Sequence, residues 1–144
     1  MNAAPEARDR YAWFVDIPTR WMDVDVYGHV NNVEYYSYFD TAVAAHLIGH
    51  AGLDPHSSPV IGLVIETKCV FKKSLLFPVV VNAGLRVAHI GRSSVRYEIG
   101  LFRQDDDEPA ATGHFVHVYV DRESQKPASI PAERRVALEQ LIMK

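Results

Sequence analysis

The chain has 144 residues, which suits one domain with a sizeable buried core. Apolar residues make up 48%, charged residues 23%, and the formal net charge is -3, so neither nucleic acid nor an anionic membrane surface would attract the chain in general. The single cysteine, Cys69, excludes an intrachain disulfide and fits a reducing compartment, and its strand-like flanks indicate a structural thiol. With no apolar run near the ~18 residues of a membrane span, we expect one cytoplasmic domain.

The predicted elements begin after a polar segment, residues 1–10, which we expect to be flexible, and residues 11–144 are expected to form the domain. Aromatic and β-branched side chains over residues 11–21 predict a strand. Residues 33–52 predict a long helix, because they contain no proline and finish with glycines. Apolar and small residues surround the axis of this helix, which predicts burial on all sides.

Four strand-like runs follow the helix: 59–73, 77–90, 93–104 and 111–122. The third alternates most clearly, with Val95, Tyr97 and Ile99 on one face. Turn-forming residues separate the runs. Pro131 and the amphipathic residues after it predict a short C-terminal helix.

Strands grouped after one helix indicate an α+β fold rather than βαβ winding. An antiparallel sheet of about five strands, curled around the long helix, is the simplest way to bury both elements. The exposed outer face and edge of such a sheet would favour pairing with another subunit.

Residues 20–32, RWMDVDVYGHVNN, are unusually polar for a segment that precedes a buried helix. If the stretch is extended, Asp23 and Asp25 project to the same side, and Gly28 permits a backbone turn. One of the two asparagines at its end can cap the helix, whose free N–H groups can bind a developing oxyanion. A carboxylate beside a helix N-terminus suits acyl transfer.

Other interpretations of this stretch compete with acyl transfer. Asp and Asn before a helix are common caps and turn formers with no further role. Asp23, Asp25 and His29 could ligate a divalent metal, but their spacing matches no strong zinc or calcium pattern, so we predict no metal site. His114 and His117 fall on opposite faces of a strand and are poor co-ligands. The chain has no G-x-S-x-G elbow and no G-x-x-x-x-G-K phosphate loop.

Residues 20–35, R-W-M-D-V-D-V-Y-G-H-V-N-N-V-E-Y, resemble the signature of hot-dog-fold acyl-CoA thioesterases of the 4-hydroxybenzoyl-CoA thioesterase family. The GHVNN form is most similar to the branch that includes bacterial long-chain acyl-CoA thioesterases. The resemblance continues through FKKSLLFPVVV, VAHIGRSSVRYE and the A-x-G that ends at Gly113, and so covers nearly the whole chain. It implies a hot-dog fold and hydrolysis of a fatty or other aliphatic acyl-CoA to free acid and coenzyme A, without a metal or redox cofactor.

The resemblance also assigns catalytic roles. The catalytic carboxylate falls on Asp25, three residues before Gly28, as nucleophile on the thioester carbonyl or as general base for water. The backbone N–H that polarises the carbonyl falls at about Asn32, and Asp23 is an acceptor that shapes the loop. His29 either orients Asp25 or the attacking water, or is only hydrogen-bonded in the turn.

Substrate contacts follow from the same resemblance. His29 and Asn31 replace apolar residues of the aryl-CoA members, which argues against a hydroxybenzoyl substrate. The turn at 91–94 resembles one that presents basic residues to the nucleotide of coenzyme A. The candidate substrate-binding residues are Gly28, Asn31, Tyr35, Lys73, Arg92 and Ser94. The acyl pocket of the family usually lies between subunits, which implies a homodimer or homotetramer.

Two other functions stay open at this stage. A hydratase or dehydratase on acyl thioesters is one, since TGHFV at 112–116 resembles a fragment of a dehydratase signature, although the prolines and glycine that follow it there are missing. A non-catalytic module that binds acyl-CoA or an acyl carrier is the other.

Overall fold

The computed structural model describes residues 6–143, which form one five-stranded antiparallel sheet and two α-helices. In chain order the elements are β1 (Trp13–Pro18), α1 (Asn32–His50), β2 (Val60–Phe71), β3 (Val80–Ile90), β4 (Ser94–Arg103), β5 (Ala111–Asp121) and α2 (Ala132–Glu139). The strand order in the sheet is β1-β3-β4-β5-β2. The predicted α+β architecture, with one long helix ahead of four strands and a short C-terminal helix, is confirmed.

The core lies between α1 and one face of the sheet. Phe39 and Val43 of α1 are almost completely buried there, as are Ile99 and Leu101 of β4. A close approach of α1 to β5 requires glycine at position 113, since a Cβ there would lie 2.5 Å from the Phe39 ring. The glycine of the A-x-G motif therefore lets the helix sit against the sheet.

The prediction that α1 is buried on all sides is wrong. Its buried residues are Tyr35, Tyr38, Phe39, Ala42, Val43, His46 and Leu47, on the side that faces the sheet. On the other side Val33 is 65% exposed and Ile48 is 51% exposed. The reason is that the sheet of one chain covers only one side of the helix.

The flexibility expected for the N-terminal segment, residues 1–10, stays a prediction. Residues 1–5 lie outside the described part of the chain, but Arg8–Arg10 form one turn of 3-10 helix. The Arg8 guanidinium donates hydrogen bonds to the Asn82 side chain and to the Arg103 carbonyl, both at 3.0 Å. These partners come from distant strands, so the polarity of the segment could not reveal them.

The sheet has two different ends. At one end, called here the pocket end, β2 stops at Phe71, β4 stops at Arg103 and β5 starts at Ala111. At the opposite end, called the α2 end, Val60 pairs with Asp121, and α2 packs close by. Within residues 6–143, no helix has the length and apolarity that crossing a bilayer would require.

Candidate active site

A short hairpin at residues 24–30 leads into α1 at the pocket end. Val24 and Val30 form an antiparallel bridge, and the Asp25 N–H donates to the His29 carbonyl at 2.9 Å. The Gly28 N–H donates to the Asp25 carbonyl at 3.1 Å, and the φ angle of Gly28 is +85°. That angle lies in the left-handed region that glycine adopts without strain, so the predicted turn at Gly28 is present.

The residues ahead of this hairpin are not extended, which corrects the prediction that Asp23 and Asp25 share a face. Trp21–Asp23 form one turn of 3-10 helix. Asp23 is 1% exposed, whereas Asp25 is only half-buried and lines a pocket. The turn forms because the Asp23 carboxylate accepts a hydrogen bond from the Arg20 backbone N–H at 2.9 Å.

Asp23 is a structural acceptor, as predicted. Its carboxylate also accepts the Arg20 Nε–H at 3.0 Å and the Tyr38 hydroxyl at 2.7 Å. Burial by itself would raise the pKa of Asp23, but the hydrogen bonds from Arg20 and Tyr38 outweigh it and hold the pKa below its usual value. Burial and the Asp23 carboxylate together raise the pKa of Tyr38, so the pair is a neutral phenol bonded to a carboxylate.

The Asp25 carboxylate is held by one oxygen only. Its Oδ1 accepts the Tyr27 backbone N–H at 2.9 Å, a local bond typical of Asp in turns. No donor among residues 6–143 binds its Oδ2. One bond therefore orients the carboxylate while its other oxygen stays available to a reactant.

The N-terminus of α1 offers an unused donor beside this carboxylate. Asn31 is the capping residue, because its side-chain oxygen accepts the Val33 N–H at 3.0 Å. Asn32 is the first helical residue, and nothing in the described part of the chain accepts a hydrogen bond from its N–H. A free N–H in the first turn of a helix carries the positive end of the helix dipole and can bind an oxyanion.

An open pocket of about 330 Å³ brings several predicted residues together. It is lined by Asp25, His29, Val30, Asn32, Tyr35, Phe71, Lys72, Lys73 and Ser74. Val30, Phe71 and Ser74 were not predicted, although the position of Phe71 and Ser74 beside Lys73, where β2 ends, signals them. Gly28 and Asn31 shape the turn and the cap and do not line the pocket.

His29 is exposed at the mouth of the pocket. Its carbonyl accepts the Asp25 N–H, but its ring makes no hydrogen bond within residues 6–143. Neither the predicted ring contact with Asp25 nor a ring hydrogen bond within the turn is present. The ring is therefore placed to meet a ligand or water.

Tyr35 joins α1 to the segment after β2. Its hydroxyl accepts the Leu75 N–H at 3.0 Å, and its ring meets Phe71 edge-on at a centroid distance of 4.9 Å. Burial raises the pKa of Tyr35, although the Leu75 N–H opposes the shift. The Arg103 side chain holds the same segment by donating to the Ser74 carbonyl at 2.9 Å. This wall of the pocket is thus tied to both the helix and the sheet.

Both lysines of the pocket have acidic partners. Lys73 lies 2.9 Å from Asp106 and 3.2 Å from Glu108, and Lys72 pairs with Glu6. The hydrogen bond to Asp106, followed by that to Glu108, raises the pKa of Lys73. A ligand phosphate at this position would have to compete with these carboxylates.

Two predicted substrate contacts, Arg92 and Ser94, lie away from the pocket. They sit at the α2 end of β4, and the 10 residues of this strand separate them from the pocket end. At ~3.3 Å per residue the separation is about 30 Å. Within one chain they cannot contact a group bound beside Asp25, unless a long ligand spans the sheet.

Among residues 6–143, no group of three or more His, Cys, Asp or Glu side chains is arranged to hold a metal ion. Burial raises the pKa of Cys69 to about 12, so its thiol is protonated at neutral pH and is a poor nucleophile. The groups at the pocket that can take part in chemistry include the Asp25 carboxylate, the Asn32 N–H and the His29 imidazole.

Comparison with known proteins places the chain in a family. Residues 19–139 match the model of the thioesterase-like superfamily, and the chain belongs to that superfamily. Its sheet wrapped on a long helix is the hot-dog fold of these proteins.

Solved structures share this fold. The PA5185 protein of Pseudomonas aeruginosa strain PAO1 is 48% identical, with 96% of each chain covered and a TM-score of 0.94. The PA2801 protein of Pseudomonas aeruginosa, itself only proposed to be a thioesterase, is 28% identical over 88% of this chain and 98% of its own, with a TM-score of 0.83. The DHNA-CoA thioesterase of Staphylococcus aureus shares the fold at 23% identity, over 81% of this chain and 78% of its own, with a TM-score of 0.73.

Proposed function

We propose that this protein is an acyl-CoA thioesterase of the 4-hydroxybenzoyl-CoA thioesterase family, in the branch that includes long-chain acyl-CoA thioesterases. It hydrolyses a fatty or other aliphatic acyl-CoA to free acid and coenzyme A. The observation that carries the proposal is that the unbonded oxygen of Asp25 and the unbonded N–H of Asn32 belong to groups lining one pocket. Membership of the thioesterase-like superfamily supports the same reaction.

The Asn32 N–H supplies the electrophilic half of the reaction. It donates to the thioester carbonyl oxygen and stabilises the negative charge that develops there, which is worth ~10²–10³ in rate for one such donor. The N-terminal end of the α1 dipole adds to this stabilisation. Since the N–H has no partner within residues 6–143, it loses no hydrogen bond to them when substrate enters.

The Asp25 carboxylate supplies the other half in one of two ways. As general base it takes a proton from water, the hydroxide adds to the carbonyl carbon, the C–S bond breaks, and the thiolate of coenzyme A leaves and is protonated. As nucleophile it forms a mixed anhydride and releases the thiolate, and water then hydrolyses the anhydride. General base help is worth ~10²–10⁴ in rate. His29, with a free ring beside Asp25, is placed to orient the water in either route.

We further propose a homodimer or homotetramer with the site at a subunit interface. β2 is an edge strand of the sheet, and apolar side chains beside the pocket are exposed. Val26 at 94% and Tyr27 at 79% exposure are the largest examples on the hairpin. If two β2 strands paired antiparallel about a two-fold axis, the β2 edge of each chain would be covered by the other.

This pairing would also account for Arg92 and Ser94. In an antiparallel pair the Phe71 end of one β2 strand lies beside the Val60 end of the other. The 91–94 turn is at the Val60 end, since the Ser93 carbonyl accepts the Tyr119 N–H and Val60 pairs with Asp121. Arg92 and Ser94 of one chain are thereby brought toward the pocket of the other, where coenzyme A needs a cation in addition to Lys73.

Subunit mixing tests this arrangement. Asp25→Asn is expected to be inactive and Arg92→Ala to have a raised KM for acyl-CoA. A mixed dimer contains one site with Asp25 from one chain and Arg92 from the other, so mixing should restore a population with the wild-type KM. If mixing restores none, or if the protein sediments as a monomer, the shared site is wrong.

Thiol release from a panel of acyl-CoAs of increasing chain length tests the reaction itself. We expect turnover of aliphatic substrates without added metal, and unchanged turnover after dialysis against EDTA. Hydration of enoyl-CoA without thiol release would instead identify a hydratase. Tight acyl-CoA binding with no turnover would identify a binding module. The proposed cytoplasmic location, where acyl-CoA is made and used, is tested by cell fractionation.

A further inference from the structure

A buried tyrosine that does not line the pocket is connected to the two segments that carry Asp25 and Asn32. Tyr38 lies on the second turn of α1 and is 4% exposed. Its hydroxyl donates to the Asp23 carboxylate at 2.7 Å, across the junction between the helix and the segment ahead of the hairpin. Tyr38 is absent from the pocket lining, so it does not contact a substrate there.

Asp23 contacts both the N-terminus of α1 and the start of the hairpin. The backbone carbonyl of Asp23 accepts the Asn31 N–H at 2.8 Å, which holds the residue that caps α1. On the other side Asp23 precedes Val24, the first residue of the bridge that closes the hairpin. Asp23 is thus next to the start of the hairpin that carries Asp25 and is bonded to the residue before Asn32.

Hydrogen bonds to both oxygens of the Asp23 carboxylate fix its orientation. Arg20 binds it with the backbone N–H at 2.9 Å, with Nε at 3.0 Å and with a terminal guanidinium nitrogen at 2.8 Å. Arg20 precedes the 3-10 turn, and its guanidinium also lies 3.6 Å from the Glu34 carboxylate in the first turn of α1. Tyr38 is the side chain of α1 that donates a hydrogen bond to this carboxylate, so it ties the helix to the 3-10 turn.

From this geometry we propose that Tyr38 is a positioning residue for thioester hydrolysis, whose hydroxyl acts through Asp23 to set the separation of the Asp25 carboxylate and the Asn32 N–H. The inference rests on the proposed function, because it assigns a role in that reaction. Tyr38 touches neither the substrate nor the reacting atoms. Its effect is on the distance between two groups that must reach one carbonyl together.

The effect should appear in kcat and not in substrate binding. The donor and the base are used together only in the transition state, and a misplacement of about 1 Å can cost about a hundredfold in rate. The pocket wall formed by Phe71, Lys72 and Lys73 is tied to α1 through Tyr35 and does not depend on the Tyr38 hydroxyl. A variant without that hydroxyl should bind acyl-CoA normally and turn it over slowly.

The test compares Tyr38→Phe with Tyr36→Phe on whichever acyl-CoA the wild type hydrolyses. Tyr36 is the matched control, since it is a half-buried tyrosine of the same helix whose hydroxyl makes no hydrogen bond within the described chain. We expect kcat of Tyr38→Phe to fall at least fivefold, with KM and the inhibition constant of free coenzyme A within twofold of wild type. Tyr36→Phe should match wild type in all three constants.

The possible results separate this inference from the proposed function. A wild type without thioesterase activity overturns both, whereas an active wild type with an equally active Tyr38→Phe overturns the inference alone. A lower melting temperature with unchanged kcat per folded enzyme would give Tyr38 a purely structural role and also overturn it. If Tyr38→Phe does not fold, Asp23→Ala, which removes the acceptor of the Tyr38 hydroxyl, is measured in the same way, and wild-type kcat in that variant overturns the inference.

Discussion

At the pocket end of the sheet, Asp25, His29 and the Asn32 N–H are open to solvent, whereas at the α2 end the polar side chains of His117 and Tyr119 are enclosed. His117 is 5% exposed, and neither nitrogen of its ring has a hydrogen-bond partner within the described chain. Burial lowers the pKa of His117 to about 4. The exposed His29 of the hairpin and the buried His117 of β5 thus differ in their surroundings, which distinguish a group available for chemistry from a core residue.

The two ends also differ in what holds them together. At the pocket end, hydrogen bonds accepted by the Asp23 carboxylate and by the Tyr35 hydroxyl fix the positions of the groups around the pocket. The α2 end depends on apolar packing, with Leu138 completely buried and Leu141 nearly so. Changes at the pocket end should therefore affect rate, and changes at the α2 end should affect stability.

The largest expected effect is that of Asp25→Asn. Removing the base or nucleophile should lower kcat by ~10²–10⁴ and leave the melting temperature unchanged, because the amide oxygen can still accept the Tyr27 N–H. Asp40→Asn, on the exposed face of α1, is the control and should retain full activity. Steady-state thiol release measures both, and near wild-type turnover in Asp25→Asn would remove Asp25 from the mechanism.

The reverse pattern is expected at the α2 end for Leu138→Ala. Deleting a fully buried leucine should lower the free energy of unfolding by ~2–5 kcal/mol, while kcat per folded molecule stays the same. Val136→Ala on the same helix removes a side chain that is 57% exposed and should cost within ~0.5 kcal/mol. Urea unfolding measures the two variants. Equal costs would show that α2 does not close the core.

The buried histidine of the α2 end should make stability depend on pH. Burial lowers the pKa of His117 from 6.5 to about 4. The stability that depends on the neutral imidazole is therefore fully present above pH 6.5 and is lost as the pH falls toward 4. The loss is on the order of 3 kcal/mol. His117→Leu should flatten the decline of unfolding free energy between pH 6.5 and 4. An unchanged slope in this variant would mean that the ring is not desolvated as described.

The smallest expected effect is at the cap of α1. Asn31→Ala removes the acceptor of the Val33 N–H and should lower the free energy of unfolding by about 1 kcal/mol. Asn31→Asp keeps an acceptor at the same position and should recover most of that loss. Thermal unfolding monitored by circular dichroism distinguishes the two, and identical melting temperatures for Ala and Asp would show that the cap contributes nothing.

Part of the candidate site could be predicted because its signals are local. The turn at Gly28 and the cap beside Asn32 depend on residues within one or two positions, so the order of residues reveals them. The separation of Asp23 from Asp25 could not be predicted, because it depends on Arg20 closing a 3-10 turn and on Tyr38, 15 positions away, reaching back to the carboxylate. Phe71 was missed for a similar reason: its place in the pocket depends on where β2 ends beside α1.

The order of residues predicted the long helix, the four strands after it and the turn at Gly28, since periodicity, glycines and capping residues act over a few positions. Which of these polar residues meet depends on how distant segments of the chain pack together. The tertiary structure buried Asp23 and left Asp25 open, and it put Lys73 into the pocket while Arg92 went to the far end of β4. The physical reason is that hydrogen bonds and packing between distant segments determine which side chains are desolvated. A short stretch of sequence does not include the residues that make those contacts.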